Sequence, residues 1–277
     1  MKIRVSIFCL TFFICPWFKL EGAITYPEDS LRLDYRLNKE FGSSLFSDFG
    51  KVVTSPIKWQ RQDFLCLSVV TGGIVLFSLA DEDIRNWVVD NRTGTSEDIS
   101  GVFSVFGHGA FVAGLGGALY LTGEVFDQKG LRKTALLSLE SWLISGVIVN
   151  AFKVVVGRQR PDNNNYSFQF QPFSFRSSKH SFPSGHSSTA FAVAAVIDGQ
   201  SDSIFLDISV YTLAAAAALS RIHDSKHWLS DTVAGSALGY FVGKMISGIH
   251  SNNPAPDSRV TISLIPRKSS LTLSLSF

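Results

Sequence analysis

TALLSLESWLISGVIVNAF (residues 134–152) carries a single charged side chain, Glu140, and runs directly into KVVVGRQRP (residues 153–161). A helix rises about 1.5 Å per residue, so this apolar run alone approaches the ~30 Å hydrocarbon thickness of a bilayer. Its reading decides the fold class: a helical chain in contact with a membrane. Lys153 and Arg160 stand two helical turns apart, which places both on one face at the end of that helix, and Pro161 then stops it. Taken alone, the two cations fit snorkelling at a membrane boundary.

Outward from this stretch, Phe64–Ala80 and Val102–Gly123 contain no charged side chain and are also long enough to span. Three shorter uncharged runs, Ser187–Ile197, Ile208–Ser220 and Thr232–Gly243, fit short spans or buried core helices equally well. Val102–Gly123 holds six glycines, which favour close helix packing. Loop charges do not fix an orientation: Lys129, Arg132 and Lys133 follow one span, Arg85 and Arg92 another.

The ends of the chain read differently. Lys2 and Arg4 precede an apolar run from Val5 to Phe18, so residues 1–23 are a signal peptide or an N-terminal anchor, with Glu21 an imperfect fit to a cleavage site. Residues 24–63 form a polar N-terminal segment, and residues 64–250 the helical domain. Ser251–Asp257 is a linker, after which Val260, Ile262 and Leu264, then Leu271, Leu273, Leu275 and Phe277, alternate with polar residues. That pattern, interrupted at Pro266–Ser270, predicts a C-terminal β-hairpin over the end of 251–277.

Composition narrows the function. Charged residues are 17% of the 277, the formal net charge is +2, and the hydrophobic share is 45%. A charge that small makes no footprint for a polyanion, so no nucleic acid is expected as partner. The three cysteines, Cys9, Cys15 and Cys66, make neither a disulfide framework nor a metal-ligand spacing.

Between residues 153 and 231 the polar residues form three groups. Lys153 and Arg160 are the first. Phe182-Pro183-Ser184-Gly185-His186 is the second, opening an Ala-rich helix whose unpaired N–H groups and positive dipole end suit an anion. Ser220-Arg221, His227 and Asp231 are the third; a His and an Asp four apart share a helix face, so the carboxylate can hold one imidazole nitrogen and leave the other as nucleophile. Cations and N–H groups to neutralise phosphoryl oxygens, one histidine to attack and another to protonate the leaving oxygen, are what phosphoryl transfer through a phosphohistidine needs.

Lys153-x6-Arg160-Pro161, Pro183-Ser184-Gly185-His186 and Ser220-Arg221-x5-His227-x3-Asp231 together resemble the three-part signature of the type-2 phosphatidic acid phosphatase/haloperoxidase superfamily, over roughly Phe64 to Ile249. The resemblance implies an all-α, antiparallel bundle of about six helices and a metal-independent phosphatase with no cofactor. It implies His227 as nucleophile, Asp231 as its orienting partner and His186 as general acid. Lys153, Arg160 and Arg221, with Ser184 and Gly185, would form the phosphate cradle.

Membrane members of the family act on lipid phosphates or diphosphates from the non-cytoplasmic face. The expected substrates are therefore phosphatidate, phosphatidylglycerol phosphate, a polyprenyl diphosphate or a phosphorylated glycolipid. Membrane lipid is the surrounding partner, and the expected place is a bacterial cell envelope, in the inner membrane with the site facing the periplasm. A soluble periplasmic acid phosphatase and a vanadate-dependent haloperoxidase are the alternatives. Outside the signature, His108 and Glu140 are ionisable groups within apolar runs, read as satisfied core groups; Arg176, Lys179 and His180 read as a solvated loop, and His223-Asp224 as spacer.

Overall fold

A computed structural model describes residues 34–163 and 166–251, with the backbone of 261–267 and 270–276. The predicted signal or anchor at 1–23 and most of the linker lie outside the described residues. Among those described, nine α-helices follow in chain order: α1 (Lys39–Thr54), α2 (Arg61–Ser78), α3 (Asp81–Asp90), α4 (Gly94–Ser104), α5 (Gly109–Val125), α6 (Lys129–Val156), α7 (Gly185–Gln200), α8 (Ile204–His223) and α9 (Leu229–Ile249). The body is helical throughout. At the C-terminus, β1 (Thr261–Arg267) and β2 (Ser270–Ser276) pair antiparallel, with Thr261 opposite Ser276 and Arg267 opposite Ser270.

α2, α6 and α8 are long and apolar enough to cross a membrane. They carry exposed apolar side chains such as Leu65, Val69 and Leu76 on α2, and Phe205 and Leu219 on α8. Two span expectations change. Val102–Gly123 is not one helix: a 3₁₀ turn at Val105–Gly107 separates α4 from α5, and the two halves meet at 57°. The break is capped by His108, whose Nδ1 accepts from the Ala110 N–H at 3.3 Å, so the chain restarts a helix there rather than continuing one. Ile208–Ser220, in contrast, is the middle of the 20-residue α8, long and apolar enough to cross a membrane.

α7 sits at the centre. Ala192, Ala195 and Val196 have no exposed surface, and α6, α8 and α9 all pack against it. A helix that is small and apolar on every side belongs inside a bundle. Gly235, Gly239 and Gly243 on α9 line its contact with α7: a Cβ at these positions would lie 2.3 Å from Ser184 O, 2.1 Å from Ser188 O and 2.4 Å from Ala192 O. The stripe lets the backbones touch, and in lipid such packing replaces the hydrophobic effect as the force between helices.

The six glycines of Val102–Gly123 play a looser role. Gly109, Gly116 and Gly123 meet side chains of α6, Gly107 meets His186, and Gly114 and Gly117 face nothing within 4 Å. Gly239→Ala is therefore expected to destabilise the protein by about 1–3 kcal/mol through overpacking. Gly117→Ala should be neutral or gain up to about 1 kcal/mol from helix propensity. Thermal unfolding in detergent would separate the two.

α6 ends earlier than Pro161 predicts. Gly157 adopts φ 61°, ψ 37° as a left-handed cap, and its N–H bonds Lys153 O at 3.0 Å. A Cβ there would lie 1.8 Å from Gln171 O, so only glycine fits. Arg158, Gln159 and Arg160 consequently leave the helix and enter a loop, held by Gln159 N–H to Gln169 O and Arg160 N–H to Ser178 O. Lys153 and Arg160 do not share a helix face, as their spacing had suggested. Residues 24–63, expected as a polar segment, include α1, whose Phe41 and Val52 join Leu136, Leu137, Ile144, Val242 and Ile246 in a core.

Candidate active site

His227 lies just before α9 and is 4% exposed. Its Nδ1 is 2.7 Å from the Ser181 carbonyl oxygen, which can only accept, so Nδ1 carries the proton and Nε2 keeps a free lone pair. Asp231 Oδ2 stands 3.8 Å from the same Nδ1. The expected direct Asp–His hydrogen bond is thus replaced by a backbone carbonyl, because His227 precedes the helix instead of sharing its face. Asp231 is turned to other work: it accepts from the Trp228 N–H at 2.9 Å as a helix cap and from Ser181 Oγ at 2.5 Å. Through Ser181, it still braces the residue whose carbonyl fixes the imidazole.

Under this pair lies a buried arginine that motif reasoning missed. Arg158 Nη1 donates to Asp231 Oδ1 and Ser230 Oγ at 2.7 Å each, Nη2 to Asp81 Oδ2 at 2.7 Å, and Nε to Ser167 O at 2.9 Å. Asp81 in turn accepts from the Ser230 N–H and Oγ at 2.9 and 2.6 Å. Arg158, Asp81 and Asp231 are all at most 3% exposed. The network ties the start of α3, the loop after α6 and the start of α9 into one platform beneath His227.

Ser184 caps α7, its Oγ accepting from Ser187 N–H at 3.4 Å and Ser187 Oγ at 2.9 Å. A Cβ on Gly185 would lie 3.2 Å from Lys153 Nζ, so the ammonium rests against the first residue of α7. Arg221 Nη1 pairs with Asp224 Oδ2 at 3.1 Å, and Asp224 Oδ1 accepts from Ser100 Oγ at 2.7 Å. Asp224, read as spacer, therefore positions Arg221. The Nε groups of Arg160 and Arg221 are buried with no hydrogen-bond partner among the described residues. Buried, unpaired guanidinium N–H donors are expensive unless an anion arrives.

Electrostatics bring the pieces together. Burial, reinforced by Lys153 and Arg160 and opposed by Asp231, pulls the His227 imidazole down to about 4. Burial, with Arg221, His227, His108 and Lys153 around it, pulls His186 down to about 3. Asp231 is held below the ordinary carboxylate range because His227, Arg158 and Ser181 outweigh its burial. Both imidazoles are hence neutral near pH 7.

Because the unfolded chain takes up these protons near 6.5 and the folded one only near 4 and 3, stability falls as pH drops below about 6.5 and goes on falling toward 4. Unfolding temperature measured from pH 7 to pH 4.5 should decline over this range. A His227→Asn variant should decline less steeply.

His108, read as a core group, is instead exposed at the start of α5 with its ring 5.7 Å from that of His186 in an edge arrangement. Its helix-cap role was the signal that could have found it. His180 Nε2 meets Ser174 O at 2.8 Å and its own carbonyl accepts from Arg160 at 3.4 Å, so this loop residue helps hold the Arg160 side chain. Between α6 and α7 the loop presents Tyr166, Phe168, Phe170, Phe173 and Phe175, all at least 50% exposed. Ile74 and Val75 of α2 line an apolar crevice with Phe168, Phe170 and Phe182 close by the platform.

A neutral buried histidine with a free nitrogen, a helix N-terminus and three cations are gathered at one end of an apolar helical bundle, an arrangement that could hold an anion. The comparisons agree with that class. Residues 134–255 match the model of the PAP2 superfamily. The chain is 27% identical to a lipid A 1-phosphatase of Rhizobium etli over 66% of its own length and 82% of that protein. It is 36% identical to a lipid A 1-phosphatase of Porphyromonas gingivalis over 37% of its length, spanning about a fifth (20%) of that protein. The fold is also shared with a transmembrane PAP2-type phosphatidylglycerolphosphate phosphatase from Bacillus subtilis, at TM-score 0.52 and 22% identity, covering 65% of this chain and 94% of that one. The relatives it matches are phosphatases, and three of its described helices are long and apolar enough to cross a membrane.

Proposed function

We propose that the protein hydrolyses the phosphate of a membrane lipid through a phosphohistidine on His227. The observation that carries this reading is the unpaired Nε of both Arg160 and Arg221, buried beside the neutral imidazole of His227 and the Lys153 ammonium at the start of α7. The guanidinium groups, Lys153, the Ser184 hydroxyl and the Gly185 N–H hold the phosphoryl oxygens. His227 Nε2 attacks phosphorus, and its Nδ1 proton stays with the Ser181 carbonyl. His186 hands a proton to the leaving oxygen as the phosphorus–oxygen bond breaks; the bound phosphate's charge is what raises that imidazole's proton affinity from its low free value. Water then attacks phosphorus, His186 takes its proton, and the phosphorus–nitrogen bond breaks to release phosphate.

Lipid is favoured over a soluble ester by the exposed aromatic loop and the apolar crevice beside the site. Among lipids, a phosphorylated glycolipid comes first, in line with the lipid A 1-phosphatases it is similar to, followed by phosphatidylglycerol phosphate, phosphatidate and polyprenyl diphosphate. The site faces the periplasmic side of the inner membrane of a bacterial envelope. Phosphate release from these four lipids in detergent micelles tests the reading. Turnover on at least one of them supports it, while turnover on soluble phosphomonoesters alone contradicts it. Charge neutralisation rests on three cations, so chelator added at the start of the assay should leave the initial rate unchanged.

A further inference from the structure

At the far end of the bundle, three ionisable side chains from distant parts of the chain meet in the interior. Asp48 comes from α1, Glu140 from the middle of α6 and His250 from the cap of α9, and none is more than 2% exposed. One oxygen or nitrogen from each lies within 4.8 Å of the other two. His250 Nε2 is 2.8 Å from Asp48 Oδ2 and 4.0 Å from Glu140 Oε2. The other face of the imidazole is held by Tyr35, whose hydroxyl is 3.4 Å from Nδ1. Lys51 is paired with the remaining Asp48 oxygen at 2.7 Å.

Glu140 is the unbalanced member. Neither of its oxygens has a hydrogen-bond partner, although the residue is 1% exposed. With Lys51 taken by Asp48, two carboxylates share this interior with one cation between them. Burying an uncompensated carboxylate costs several kcal/mol. A proton on Glu140, shared with the neighbouring Asp48 carboxylate, is the competing way to cancel the charge, and it leaves His250 outside the bond. A cation would satisfy all three groups at once.

We propose that Asp48, Glu140 and His250 bind a divalent first-row transition ion. Zinc–oxygen and zinc–nitrogen bonds of about 2.0–2.2 Å place tetrahedral ligands roughly 3.3 Å apart. The two His250 separations, 2.8 and 4.0 Å, bracket that edge, and the third lies within 4.8 Å. Two carboxylates with one imidazole suit zinc, manganese or iron better than magnesium or calcium, which prefer oxygen alone. Binding requires His250 Nε2 to release its proton, with Nδ1–H directed to the Tyr35 oxygen.

Glu140 precedes Lys153 by about 20 Å of helix, too far for the ion to touch the phosphate cradle. The ion's work is structural: it clamps α1 onto α6 and α9. It also neutralises a carboxylate inside a membrane-spanning helix.

The test uses the full chain in detergent, stripped by prolonged dialysis against chelator. Titration with Co2+ should give a saturable visible band at one equivalent. Zn2+ should raise the unfolding temperature, and Mg2+ should not. Glu140→Gln should weaken Co2+ binding by more than about a hundredfold, while phosphate release stays near wild type. Wild-type protein that gives no Co2+ band and no Zn2+ stabilisation overturns the proposal, as does Glu140→Gln protein that binds as tightly as wild type. If Glu140→Gln does not fold, the wild-type Co2+ titration decides by itself. Phosphate release is read separately, so a failure here does not touch the phosphatase assignment.

Discussion

His227→Ala protein is expected to lose phosphatase turnover by roughly 10⁴-fold or more, the scale seen when a nucleophile that acts as part of a unit is deleted. In the proposed reaction His227 is the attacking nitrogen, and His186, neutral in the same field, is the proton donor. His227 is buried and its Nδ1–H bonds Ser181 O at 2.7 Å, so alanine leaves an unpaired carbonyl and costs about 1–3 kcal/mol of stability. His227→Asn keeps a side-chain N–H near that carbonyl without the attacking nitrogen. Both variants should be inactive, and the asparagine form should unfold closer to wild type. Equal activity of either variant and wild type in phosphate release would remove His227 from the chemistry.

Arg158→Ala should produce the largest loss of stability, about 3–5 kcal/mol, because it strands the carboxylates of Asp81 and Asp231 in a dry interior. Arg158 bridges the start of α3 and the start of α9, and no other cation reaches both carboxylates among the described residues. Arg158→Lys should recover part of the loss; one ammonium cannot span two carboxylates, a hydroxyl and a carbonyl as the planar fork does. The activity loss follows from geometry, since Asp231 would be freed to move and Ser181 with it. The two effects separate in an assay below the variant's unfolding temperature: kcat should fall more than KM rises.

How far the sequence could be read depended on whether the relevant physics was local. Ser184, Gly185 and His186 open a helix, and cap chemistry is written in consecutive residues, so their place at an anion-suited N-terminus was legible. The separation of Lys153 from Arg160 was not. Counting from one to the other assumes an unbroken helix, and Gly157, three residues before Arg160, takes the one conformation that ends it. The signal was present, since a glycine just before a proline-closed loop is a cap in many helices. Similarly, Gly107-His108 could have marked the break in Val102–Gly123, where a run of uncharged residues concealed a change of direction.

Arg158 and Asp81 were invisible for a different reason. Their bond crosses 77 positions, and Asp81 is one of three consecutive acidic residues, Asp81, Glu82 and Asp83, with nothing local to single it out. The stripe Gly235, Gly239 and Gly243 has a readable period of four. The denser glycines of Val102–Gly123 mostly meet side chains or open space. Density of glycine says little; spacing along the face that meets another backbone decides.

The proposed reaction requires a covalent bond between phosphorus and His227. Incubating the protein with a ³²P-labelled lipid phosphate, quenching within milliseconds to seconds and mapping the labelled peptide tests it directly. The account predicts an acid-labile, alkali-stable label on the peptide containing His227, absent from His227→Asn and accumulating in His186→Ala if that variant slows hydrolysis of the intermediate. Label on a different residue, or steady phosphate release with no labelled protein at any quench time and with ¹⁸O from water entering the product in a single inverting step, would contradict it.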